Sequence, residues 1–213
     1  MASSYSTDLA LELMVTGENS GTWGDKTNVN LNLIQQAIAG YEAVDVSSGA
    51  TLAMTNATIS NARNAVLKLT GTLTGNVDVT CPDGIEKTYV VQNGTSGAYT
   101  VTFKTVSGTG ATFSTTDKGI KVLFSDGTNI TDVLANASQI NLVNQNEVRF
   151  EDASGGEYVG LKAPATVSSS VTFALPGADG SSGNGITTDG SGNLSFTDVA
   201  STGKAIAMAL VFG

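Results

Sequence analysis

Lys87-Thr-Tyr-Val-Val-Gln92, Asn93-Gly-Thr-Ser-Gly97 and Tyr99-Thr-Val-Thr-Phe-Lys104 follow one another near the middle of the chain. The two outer runs are rich in Val, Thr, Tyr and Phe, which suit a pleated, half-buried surface. The five residues between them carry Asn-Gly and Ser-Gly, the chemistry of a turn. The spacing predicts a hairpin with a loop of about five residues. The same pattern extends outward on both sides. Upstream, Val44 and Val46 alternate, Val66 and Leu67 to Leu69 follow, and Val77 and Val79 alternate again. Downstream, Ile120 to Phe124 ends at the turn Ser125-Asp-Gly-Thr-Asn129, and Ile130 to Leu134 resumes. Strand signals recurring every ~8–12 residues predict a β-sandwich or small β-barrel over residues 41–135, rather than a parallel α/β sheet.

Composition agrees with a mainly β chain full of turns. The 213 residues include 28 Thr, 21 Ser, 16 Asn and 25 Gly, and only 14% are charged. That charged fraction is about half the usual share. Several function classes fall away. No His is present, which removes His-based triads, His metal sites and the near-neutral proton shuttle. Cys81 is alone, so it makes neither a disulfide within one chain nor a thiolate metal cluster. Ten scattered basic residues in a chain of net charge −9 make no nucleic-acid footprint. No run reaches the ~18 apolar residues of a membrane helix, and the first residues lack a secretory pattern. The expectation is a protein without enzymatic activity or cofactor, neither inserted in a membrane nor bound to nucleic acid. The Asn-X-Ser/Thr triplets at Asn56, Asn93, Asn129 and Asn136 follow from an Asn- and Thr-rich composition.

The first forty residues differ from the rest. Leu9, Leu11 and Leu13 alternate with Asp8, Ala10 and Glu12, as in a short strand or an extended docking arm. Residues 25–39 carry helical spacing at Leu31, Ile34 and Ile38, with Asp25 or Asn28 as a cap and Gly40 as a stop. Trp23, the single Trp, lies between Gly21 and Gly24. It reads equally as an anchor for a partner's pocket and as packing on its own helix.

Residues 136–147 are polar and Asn-rich and read as a linker, after which 148–213 is again β. This last region is thin in large apolar residues: Phe150, Tyr158, Leu161, Val171, Phe173, Leu175, Ile186, Leu194 and Phe196. Each is worth ~1.5–3 kcal/mol when buried, whereas fixing each backbone residue costs ~1–2 kcal/mol. Such a stretch gains a core by sharing sheets between copies, so the sequence predicts an obligate oligomer, with a homotrimer as the leading state. Near the C-terminus Ile206, Met208, Leu210 and Phe212 fall on one strand face, opposite Ala205, Ala207, Ala209 and Val211. That suits burial between chains, against another particle component or inside its own domain. The predicted oligomer interface is Val171, Phe173, Leu175, Leu194, Phe196, Ile206, Met208, Leu210 and Phe212.

These residues resemble a known group. Val159-Gly-Leu-Lys-Ala-Pro-Ala-Thr-Val, Ser170-Val-Thr-Phe-Ala-Leu-Pro-Gly-Ala-Asp-Gly-Ser-Ser-Gly and Thr187-Thr-Asp-Gly-Ser-Gly-Asn-Leu-Ser-Phe resemble a module of tailed-bacteriophage tail fibres. Thr16-Gly-Glu-Asn-Ser-Gly-Thr-Trp-Gly-Asp with the helix after it is similar to the start of virion proteins of cyanophages and other marine phages. Thr202-Gly-Lys-Ala-Ile-Ala-Met-Ala resembles the end of short members of that group. The resemblance covers roughly half the chain. It implies a trimeric fibre or spike on the virion, made in the host cytoplasm and engaged in host attachment as a tail fibre. Its partners would be other copies, tail or capsid proteins, and a host surface glycan or receptor. Gly17, Gly21, Trp23 and Gly24 would belong to the virion-docking end. The chain departs from the usual tail fibre by lacking a long repetitive shaft and a large receptor-binding tip, which leaves open a head fibre, a capsid decoration protein or a tail adaptor.

A glycan-degrading spike would need paired carboxylates. Glu151 and Asp152 are adjacent, with Glu157 near, but neighbours on a strand point to opposite faces. They read as solubilising charges, and no long parallel β-helix repeat is apparent. Asp189-Gly-Ser-Gly-Asn193 reads as a turn, lacking the terminal Glu and flanking helices of an EF-hand.

Overall fold

The computed structural model describes residues 2–137, 140, 142–144, 146–198 and 210–211. The chain divides into two compact units, Met1–Ile140 and Asn141–Gly213. In the first, strands β1 (Ser4–Tyr5) and β2 (Glu12–Leu13) precede helix α1 (Trp23–Ala39). Then come β3 (Tyr41–Asp45), β4 (Ala50–Thr51), a single 3-10 turn at Asn61–Arg63, β5 (Val66–Thr70) and β6 (Val77–Cys81). They are followed by β7 (Glu86–Asn93), β8 (Val101–Thr105), β9 (Gly110–Phe113), β10 (Ile120–Asp126) and β11 (Ile130–Asp132). The second unit holds β12 (Val148–Glu151), β13 (Tyr158–Leu161), β14 (Asn184–Thr188) and β15 (Leu194–Asp198).

The mainly β expectation holds, with two larger open sheets in the first unit beside the β1–β2 pair and no closed barrel among the described residues. One sheet runs β11-β10-β7-β5-β3 and the other β4-β6-β8-β9. From β3 to β8 consecutive strands alternate between them, so β5 to β6 and β7 to β8 each make one turn of a coil. The coils stack in parallel. Val66 lies beside Val90 and Val77 beside Val101, so equivalent residues are 24 positions apart in both sheets. β3 and β4 start the first coil, parallel to β5 and β6. Antiparallel β9 and the β10–β11 pair close the far side. Both sheets face one core, built from Leu67, Leu69 and Val91 on one side and Val79, Val101 and Phe103 on the other. Tyr89 meets Phe103 edge to face, with ring centroids 5.3 Å apart.

The hairpin expected between residues 87 and 104 is therefore not formed: β7 and β8 lie in different sheets. The turn's own backbone explains why. Gly94 N donates to Leu69 O (2.8 Å), Ser96 N to Gly71 O (2.9 Å), and Ser96 O accepts from Leu73 N (3.0 Å). Those groups serve the coil below and leave none to close a tight reversal. Buried Asn93 holds the corner, accepting from Thr95 Oγ1 (2.7 Å) and donating to Asp117 O (2.7 Å). Gly97, at φ +92°, passes so close to Leu73 O that a Cβ there would clash. The turn predicted at 125–129 does join antiparallel strands, β10 and β11.

Two further expectations change. The N-terminal segment is not an extended arm but folds back on its unit. Ala10 O accepts from Ala57 N (2.8 Å), and Asp8 Oδ1 accepts from Glu86 N (2.9 Å). Its in–out alternation is the reverse of the leucine pattern: Ala10 and Glu12 are buried while Leu13 is half exposed. The buried carboxylate has partners in Lys26 (3.0 Å) and Ser3 (3.0 Å), and Asn30 brackets its backbone, which makes its burial affordable. α1 begins at Trp23, two residues before the expected cap, with Thr22 at the N-cap and Gly40 at its end. It turns Leu33 inward, while Leu31 and Ile38 are exposed.

Arg63 ties these pieces together. It is fully buried. Its guanidinium donates to Leu9 O (2.9 Å), Thr55 O (2.7 Å), Thr58 O (2.5 Å) and Ser60 Oγ (2.9 Å). No carboxylate neutralises it among these contacts; these oxygens, with Gln36 Oε1 at 3.4 Å, solvate the charge instead.

Candidate assembly surfaces

Among its described residues the second unit holds two hairpins. β12 and β13 pair antiparallel, with Val148 opposite Leu161 and Phe150 opposite Val159. Directly opposed residues share a face, so these four form one apolar surface. All four are exposed, Phe150 at 59% and Val159 at 70%. The reverse face is polar. Arg149 lies over the Tyr158 ring (4.1 Å to its centroid) and pairs with Glu147 (2.6 Å), which also accepts from Tyr158 Oη (3.2 Å). The hairpin is thus amphipathic, with its apolar side bare.

The second hairpin pairs β14 with β15, setting Ile186 opposite Phe196 and Thr188 opposite Leu194. The opposite face carries Thr187, Ser195 and Thr197, linked through their hydroxyls. Residues 171–175 run beside the start of β15. Ala174 N donates to Gly192 O (3.0 Å), and Leu194 N donates to Ala174 O (2.9 Å). Gly192, at φ +97°, lets this segment approach, because a Cβ there would collide with Thr172 O. Phe196 is half covered by the loop at Gly180. Asp189 is engaged within its own turn by Ser191 N (2.7 Å) and Asn193 Nδ2 (2.6 Å).

Of the predicted interface residues, Val171, Phe173 and Leu175 are strongly exposed, Leu175 at 80%. Leu194 and Phe196 are half-buried on the β15 face, and Leu210 is exposed. Ile206, Met208 and Phe212 lie outside the described residues. None of the described residues from 142 to 198 is buried. An isolated two-stranded hairpin is marginal in water, and independent stability needs three or more strands with a covered apolar face.

At the other end, Trp23 occupies the first turn of α1 and is 64% exposed, so it does not pack into its own unit. Gly17 and Gly21 adopt φ of +82° and +81° in the turns leading to the helix, whereas Gly24 is an ordinary helical residue. The sequence reading missed Glu12 as the link between this segment and the helix. Lys26 and Ser3 hold its carboxyl below the ordinary 4.5, against the opposing effect of burial. A carboxyl lowered on folding stabilises above its unfolded value and loses that contribution as pH falls through its folded value. We therefore expect amide protection at residues 4–13 to fall as the pH is lowered from 6 to 3, with less change in Glu12→Gln; hydrogen exchange measured across that range checks it.

Among the described residues no cluster of acidic or thiol side chains could hold a metal ion, and no helix is long and apolar enough to cross a membrane. Comparison with protein-family models, curated proteins and solved structures finds no match to this chain.

Proposed function

We propose that the chain is a structural protein of a tailed-phage particle, assembling as a homotrimeric fibre or spike and engaged in host attachment. The carrying observation is the bare apolar surface of the second unit: two amphipathic hairpins and the 171–175 segment, with no buried residue among the described residues of 142–198. Water-facing apolar area on this scale relative to a unit's own core is a signature of an assembly surface. Three copies would supply each other's missing layer and cover the strand edges. The likeness of the 159–167, 170–183 and 187–196 stretches to phage fibre modules supports the biological setting. The first unit, tied down by Arg63 and Glu12, would form the rigid body carrying Trp23 toward the virion.

Image reconstruction of the particle tests this. A tail fibre is expected at the tail in a small symmetric set of trimers, with density for residues 148–198 shared among three chains. Copies spread over the shell would establish a capsid decoration protein instead. Absence from the particle would overturn the reading.

A further inference from the structure

Helix α1 carries a second self-association surface. Its inward face presents Lys26, Asn30, Leu33 and Gln36 to the rest of the first unit, through Glu12, Ser60 and Arg63. About a third of a turn away runs a different stripe: Gly24, Thr27, Leu31, Ile34 and Ile38. These residues follow the alternating three- and four-residue spacing of a heptad seam. Gly24, Leu31 and Ile38 take one core position, and Thr27 and Ile34 take the other. Leu31 and Ile38 are 57% and 74% exposed. Gly24, Thr27 and Ile34 are half-buried, and Leu31 and Ile38 stand open on the coiled-coil side.

We propose that the occupant of this seam is the same helix from two further copies, forming a parallel three-helix bundle with the β coils arranged outside it. Three observations point to like chains. First, the only charged residues of α1 are Asp25 and Lys26, and neither is on the seam. The flanking positions hold Trp23, Asn28, Asn30, Gln35 and Ala37, all uncharged. Copies of a chain with net charge −9 repel one another, and such a surface lets them approach without setting like charges side by side. Second, Leu at one core position followed by Ile at the other shifts parallel helices from dimers toward trimers or tetramers. Third, Gly24 at a core position leaves room for close approach at the end where the bulky Trp23 flanks the seam. This inference rests on the homotrimer reading and adds a second contact independent of the C-terminal unit.

Disulfide trapping in the intact chain tests it. Ile38→Cys and Leu31→Cys place thiols on the seam, while Asn32→Cys places one on the exposed flank. The native Cys81 is buried and adds little background. On oxidation, the seam variants are expected to form covalent chain pairs at least tenfold faster than Asn32→Cys, while all sediment as trimers. Trimers in which neither seam variant cross-links would overturn the helix bundle, leaving assembly through the C-terminal unit intact. Equal cross-linking of all three variants would also overturn it, since collision rather than a fixed seam would then bring the thiols together. Folded monomers would overturn both the bundle and the homotrimer.

Discussion

Replacing Phe150 and Phe173 together by serine is expected to dissociate the trimer while leaving the first unit folded. Both rings are about 60% exposed in the single chain and sit on the apolar surface of the second unit. Burying a Phe is worth about 1.5–3 kcal/mol, so six removals in a trimer cost on the order of 9 kcal/mol or more. For three chains in equilibrium with one, the midpoint concentration then rises by roughly a thousandfold. Sedimentation across a dilution series reads this shift. The β coils of the first unit contain neither residue, so their far-ultraviolet dichroism and thermal transition should persist. A double variant that assembles like the parent would place the assembly surface elsewhere.

The second large effect concerns Arg63. Arg63→Met keeps much of the volume but leaves Leu9 O, Thr55 O and Thr58 O without their donor. A hydrogen bond to a charged donor is worth ~1.5–3 kcal/mol, so the first unit should lose roughly 3 kcal/mol or more. Thermal unfolding should then fall by about 10 °C for a unit of this size. The N-terminal segment should loosen first, because Leu9 is its link to this cluster. A loss under about 1 kcal/mol would mean that water replaces the guanidinium at these oxygens.

How much of this was legible before the coordinates depended on whether a signal was local. The β character, the turn at Ser125–Asn129 and the thin apolar content after residue 148 could be read directly, because each depends on residue types within a short window. The coiled connectivity could not. Across the 24-residue offset Val66 matches Val90 and Val77 matches Val101, but Lys68 faces Gln92 and Leu69 faces Asn93. Stacked coils need only an apolar residue inward and a hydroxyl or amide outward, so the repeat survives as a pattern of faces with few identities. The Asn93–Gly97 stretch has hairpin chemistry by composition; only its pairing with Leu69, Gly71 and Leu73 makes it a corner.

The assembly surfaces divided in the same way. Val171, Phe173 and Leu175 stand out as large apolar residues in a stretch poor in them, and the structure leaves those side chains uncovered. The spacing of Leu31, Ile34 and Ile38 marks the helix, but periodicity reveals an apolar face and not what covers it. Leu33, just outside the stripe, takes the buried place because Lys26, Asn30 and Gln36 on its side find polar partners in the first unit. Glu12 was hidden for a related reason: a carboxylate between two leucines looks solvent-facing until Lys26, fourteen residues further along the chain, meets it.

Hydrogen exchange of the intact chain as a function of concentration addresses the dependence of the second unit on its copies most directly. Amides of β12 to β15 should be protected at micromolar concentrations and lose protection on dilution, in step with the fall in sedimenting mass, while β5 to β8 keep theirs throughout. Lasting protection of residues 148–198 in a chain that sediments as a monomer would contradict the account.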